Sequence, residues 1–158
     1  GYGDIIGPWY SEPDPFYCRQ KAVLEEDARS VIQDHEVPND KGQSARGSFY
    51  LWCRQNGRWP QEVSGVDPGV DPDWFDPYMP VRNVTPEWPP TLLLHGQVDT
   101  DVPHLQSSMM AEEFARVGVD YGFLSLPGSG HGFDGWAKGT RSVDLAFTEL
   151  ESFLARTT

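Results

Sequence analysis

Apolar and polar positions fall into blocks along the C-terminal part of the chain, and each block predicts an element. Thr91 to Leu94 is a short, continuous apolar run of the kind a strand buried on both faces shows. Leu105, Met109, Ala111, Phe114, Ala115 and Val117 recur at helical spacing and stop at Gly118, which predicts a helix. Tyr121 to Leu126 reads as a second strand. Ser142 to Leu154 reads as a closing amphipathic helix carrying Val143, Leu145, Ala146, Phe147, Leu150, Phe153 and Leu154. Strand, helix, strand, helix with short links is the grammar of a parallel sheet covered by helices, an α/β arrangement.

The N-terminal part is less regular. Gly1 to Ile6 has glycine punctuation before any complete strand, and the prolines from Pro8 to Pro15 bias their neighbours towards extended backbone. Ala22, Val23, Ala28, Val31 and Ile32 predict a helix within Phe16 to His35, followed by a polar loop from Asp40 to Arg46. Gly47 to Gln55 is a second helix candidate, with Asn56-Gly57 as its stop. From Trp59 to Pro90 irregular structure is expected. The paired Val-Asp-Pro steps of Val66 to Asp73 read as a proline-pinned loop and not a calcium loop, because no acidic run ends in a bidentate glutamate at the required offset.

A chain of 158 residues is long enough for one core of ordinary thickness, and 6 Trp, 6 Tyr and 8 Phe argue against disorder. The net charge of −12 is spread over both halves and leaves no basic stripe, so neither nucleic acid nor an anionic membrane surface is an expected partner. No apolar stretch approaches the length of a membrane span. Cys18 and Cys53 are too few for a disulfide scaffold or a zinc site; two ordinary thiols in a cytoplasmic protein are expected, with one bridge as the alternative.

The chemistry lies beyond the strands. In an open α/β sheet, side chains past the carboxyl ends of the strands emerge from a rigid scaffold into a crevice. Asp99 follows the first strand and His131, between Gly130 and Gly132, follows the second, so both arrive at one rim. A carboxylate beside a neutral imidazole fixes its tautomer and stabilises the imidazolium formed when the ring takes a proton from a nucleophile. Taken alone, Asp99 reads first as a turn or helix-start residue and gains the triad role only from its pairing with His131, with Asp101 the better candidate for the helix cap. His131 alone is equally an exposed loop histidine. His95 reads as a structural side chain bonding locally, His104 as a possible neighbour of substrate, and His35 as surface. A metal set of Asp99, His104 and His131 lacks the closely spaced histidine pair that would support it.

His95-Gly96-x-x-Asp99-x-x-Val102-Pro103, then Gln106-Ser107, then Gly130-His131-Gly132-Phe133, resembles the C-terminal part of an α/β-hydrolase of the esterase and prolyl-oligopeptidase-like peptidase kind. The opening Gly-Tyr-Gly-Asp-Ile-x-Gly-Pro-Trp-Tyr resembles the segment that leaves the sheet after the nucleophile region. The resemblance implies a Ser-His-Asp hydrolase of ester or amide bonds, with Asp99 as acid and His131 as base, and no metal or organic cofactor. It implies residues 1–6 as the tail of a strand or its exit loop, 7–88 as a cap or insertion, and 89–158 as the C-terminal portion of the catalytic domain.

No Gly-x-Ser-x-Gly occurs, and Gly128-Ser129-Gly130 lies beside the histidine and not between a strand and a helix. The serine, the oxyanion hole and the first strands are therefore expected in a missing N-terminal part of the same hydrolase, on the same polypeptide or on a separate chain. A small ester or peptide is the expected substrate. The competing expectation is a catalytically inactive, hydrolase-like fragment that acts as a binding module.

Overall fold

The computed structural model describes residues 3–15, 17–32, 43–136 and 140–157. They form two compact units, one of Ile5–Phe75 and one of Gly1–Asp4 with Asp76–Thr158.

The first unit is helical: α1 (Pro8–Ser11), α2 (Glu25–Ser30), α3 (Gln43–Gln55) and α4 (Trp59–Ser64). α3 begins before the expected Gly47, so Gln43 to Arg46 are helix and not loop. The helix expected over Phe16 to His35 is reduced to α2, since Cys18 and Arg19 take left-handed backbone (φ 51° and 53°) and Leu24 is extended. Its backbone groups find a different partner. Val23 N–H donates to Gln55 Oε1 and Gln55 Nε2 donates to the Lys21 carbonyl, each at 3.0 Å, so the 21–23 segment is satisfied by a side chain instead of by a helix. His35 and the rest of 33–42 lie outside the described residues.

α3 also supplies Arg54, whose guanidinium lies 4.5 Å from the Tyr10 ring centre and 4.2 Å from that of Tyr17, while Nη1 donates to Tyr50 Oη at 2.6 Å. A planar, weakly hydrated cation stacks on aromatic faces where an ammonium would stay in water. Ala28 closes the neighbouring core against Trp52 and Cys53. The expected irregular stretch after Trp59 contains α4, with Pro60 in its first turn and Gly65 (φ 77°) at its end. In the Val-Asp-Pro loop, Asp67 Oδ1 accepts from Gly69 N–H at 2.8 Å and Asp71 Oδ1 from Trp74 N–H at 3.3 Å. These carboxylates therefore serve as turn-formers. No disulfide joins Cys18 to Cys53, and burial pushes the Cys53 thiol up to about 11.

The second unit holds the sheet. β1 (Thr91–Gly96) and β2 (Tyr121–Leu126) pair in parallel, in register from Thr91 with Tyr121 to Gly96 with Leu126. α5 (Leu105–Val117) connects them; α6 (Phe133–Trp136) and α7 (Arg141–Thr157) follow. Parallel strands need such a crossover, because a tight turn cannot return the chain to the same end. The core centres on the fully buried Phe114, whose ring centre is 5.9 Å from those of Trp88 and Tyr121. Val84, Met110 and Val119 complete it. Residues 76–88 group with the sheet, since Val84 and Trp88 are part of this core. Gly3 and Asp4 are tied to the same unit by their N–H groups, which donate to Gln106 Oε1 at 2.6 and 2.7 Å. No helix among the described residues is long and apolar enough to cross a membrane.

Candidate active site

β1 and β2 end side by side, and their exit loops are laced together before either delivers a functional side chain. Gln97 N–H donates to the Leu126 carbonyl at 3.0 Å and Val98 N–H to the Ser129 carbonyl at 3.1 Å. The approach is so close that a Cβ on Gly96 would lie 2.6 Å from the carbonyl carbon of Ser129, so only glycine fits at the end of β1. Gly128 and Gly132, at φ 69° and 63°, supply the left-handed turns on either side of His131.

This lacing brings Asp99 and His131 together. His131 Nδ1 lies 3.0 Å from Asp99 Oδ2. The other carboxylate oxygen, Oδ1, accepts from Asp101 N–H at 2.8 Å and Val102 N–H at 2.9 Å. Asp99 is thus both the turn-former and the partner of His131, with its two oxygens divided between the tasks. Its side chain is only 7% exposed, against 54% for His131. Burial raises the Asp99 carboxyl, but the N–H groups of Val102 and Asp101 and the His131 imidazole outweigh it and hold the group below its ordinary 3.8.

An ionised carboxylate accepts only, so the neutral His131 ring carries its proton on Nδ1 and presents a lone pair at Nε2. Nε2 lies 3.6 Å from Asp101 Oδ2, on a ring that is half exposed. Asp101 is not the cap of α5: that position belongs to His104, which makes no side-chain cap bond. A pocket of about 170 Å³ lies between the two loops, lined by His95, Asp99, His131 and Phe133 among others.

The remaining histidines are placed differently. His95 is buried, with Nδ1 2.7 Å from Ser107 Oγ and Nε2 3.0 Å from the Val102 carbonyl. His104 Nε2 lies 2.8 Å from Ser125 Oγ, a hydroxyl that also accepts from Gln97 Nε2 at 2.9 Å. Burial, and then the charge of nearby His95, hold the His104 imidazole below its ordinary 6.5. Asp99, His104 and His131 are not gathered as a metal set; no group of three or more His, Cys, Asp or Glu among the described residues is placed to hold an ion.

Comparison with known proteins agrees with the sequence pattern. A family model described as the prolyl oligopeptidase family matches residues 48–158. Esterase LipC of Mycobacterium tuberculosis is 39% identical over 64 residues, which are 40% of this chain and 16% of that protein. A truncated carbohydrate esterase from gut microbiota is 31% identical, over 61% of this chain and 34% of its own, with a TM-score of 0.49. Thermogutta terrifontis esterase 2, phosphonylated by sarin, is 22% identical over 85% of this chain and 40% of its own, with a TM-score of 0.44. The chain spans well under half the length of each of these relatives.

Proposed function

The chain belongs to the prolyl oligopeptidase family of hydrolases, and on that premise we propose that it supplies the acid and base of a serine hydrolase, Asp99 and His131. The observation that carries this reading is the 3.0 Å contact between Nδ1 of the half-exposed His131 ring and the buried carboxylate of Asp99. A serine borne by another part of the same hydrolase attacks the carbonyl of an ester or amide. His131 Nε2 takes the serine proton during attack and returns it to the leaving group, and Asp99 stabilises the imidazolium in between. Asp101, 3.6 Å from Nε2, adds a second negative charge on the side where that proton arrives.

A carboxylic ester is the substrate to test first, supported by the 39% identity to Esterase LipC. The division of the triad is supported by the C-terminal half of the molecule. Phe147 of α7 is half exposed, and with Leu94, Phe133 and Leu150 it lines an apolar pocket of about 400 Å³. Such a surface suits the remaining strands and helices of the hydrolase.

Labelling of the assembled enzyme with a fluorophosphonate tests the proposal. The label is expected on a serine outside residues 1–158; a label within them overturns the division of the triad, and no label with no hydrolysis of an activated ester overturns the hydrolase. In the active assembly, Asp99→Asn is expected to lower kcat by about 10⁴-fold while the chain stays folded, because the imidazole then rests in the wrong tautomer. A near-normal kcat removes Asp99 from the mechanism.

A further inference from the structure

Asp99 is held from more directions than a turn requires. Its Oδ1 takes two backbone N–H groups, from Asp101 and Val102. Its Oδ2 faces His131 Nδ1 at 3.0 Å and His95 Nε2 at 3.4 Å. The Val102 peptide is pinned at both ends, since its N–H donates to Asp99 Oδ1 at 2.9 Å and its carbonyl faces His95 Nε2 at 3.0 Å.

The protons on His95 follow from its partners. A carbonyl only accepts, so His95 Nε2 carries hydrogen; in the neutral ring Nδ1 is then a lone pair, and the Ser107 hydroxyl, 2.7 Å away, donates to it. Ser107 lies in the first turn of α5 and is buried. A chain of contacts thus runs from the rigid helix through Ser107 and His95 to both ends of the 99–102 turn. The His104 imidazole also lies against the His95 ring, with centres 5.4 Å apart.

We propose that His95 is a positioning residue for the acid: its Nε2–H, oriented by Ser107, keeps the Asp99 carboxylate aimed at His131 Nδ1. The proposal rests on Asp99 and His131 being acid and base, but its geometry is testable without turnover. A carboxylate with one oxygen bound to the turn and the other 3.0 Å from His131 Nδ1 and 3.4 Å from His95 Nε2 cannot rotate without giving up one of these approaches. Removing His95 Nε2–H frees the Val102 carbonyl, loosens the turn and lets the carboxylate swing.

The test is a titration of the Asp99 carboxyl carbon by ¹³C NMR in the 158-residue chain, for wild type, His95→Asn, His95→Gln and Ser107→Ala, with thermal melts alongside. Glutamine can place its amide N–H near the site of Nε2, whereas asparagine is too short. In His95→Asn the Asp99 midpoint is expected to rise and the His131 Nδ1–H proton signal to be lost to solvent exchange. His95→Gln is expected to restore both, and Ser107→Ala to produce a smaller rise. Should His95→Asn fail to fold, Ser107→Ala with His95→Gln decides the question. Unchanged midpoints in the folded variants overturn the proposal, as does a glutamine variant no better than the asparagine one.

In the active assembly, His95→Asn is expected to lower kcat roughly ten- to a hundredfold with KM little changed, the signature of a misaimed catalytic group. An unchanged kcat overturns the proposal. An assembly with no wild-type turnover overturns the hydrolase reading instead, and the titration still decides the role of His95.

Discussion

A methyl group at position 96 has no room, because it would be driven into the Ser129 carbonyl, which is backbone and cannot swing aside. Gly96→Ala is therefore expected to destabilise the fold by roughly 1–3 kcal/mol, the usual range for overpacking, and to separate His131 from Asp99. Gly122 is the internal control. A Cβ there would meet Leu92 Cδ1 at 2.9 Å, the far end of a flexible side chain, so Gly122→Ala is expected to cost clearly less. Denaturant melts of the two variants make the comparison; equal losses would show that backbone approach at Gly96 is not the constraint. At this scale the sequence was informative about Asp99 and His131, because loop, glycine and strand spacing together place them on one rim. For His95 it indicated a structural side chain bonding locally, without the partner that fixes its role. Its importance lies in a bond to Ser107, on a separate element.

Among the elements, β2 and α5 have the bounds that their patterns predict, and β1 runs on through Gly96. The buried face of α5 was legible only in part: Ala111 and Phe114 are buried as the apolar spacing predicts. Apolar spacing points to Leu105, which is 47% exposed, whereas the polar Gln106 and Ser107 are buried with Met110, Ala111 and Phe114. Their burial is allowed by tertiary hydrogen bonds, to Gly3 and Asp4 for Gln106 and to His95 for Ser107. A hydrophobicity pattern contains no information about such partners. Gln106→Leu leaves two N–H groups without their acceptor and is expected to cost about 1–3 kcal/mol. Phe114→Ala, at the centre of the core, is expected to cost about 3–5 kcal/mol. A Gln106→Leu chain as stable as wild type would show that the Gly3–Asp4 segment is held by other means. The 21–23 segment is not helical for a related reason, because the side chain of Gln55 satisfies its backbone from another helix.

For the molecule as a whole, two groups set a common direction of pH dependence. The folded state holds His104 below its ordinary 6.5, so the unfolded chain takes up that proton first. Stability from this group is complete above the unfolded value and is lost as pH falls below it. Asp99 is also held low, so its contribution is present above the ordinary 3.8 and is lost as pH falls through the folded value. Acid is thus expected to weaken the chain in two stages, one from about pH 6.5 and one below about pH 4. Chemical melts across this range check the order, and a His104→Gln variant that keeps the upper stage would assign it elsewhere.

The pressing of the Ser129 carbonyl against Gly96, with the bond from Val98, has a consequence for protein engineering. The loops 97–103 and 127–132 are therefore expected to exchange only together. Grafting either loop alone from a relative imports a backbone contour cut for a different neighbour, whereas grafting both moves acid, base and their spacing intact.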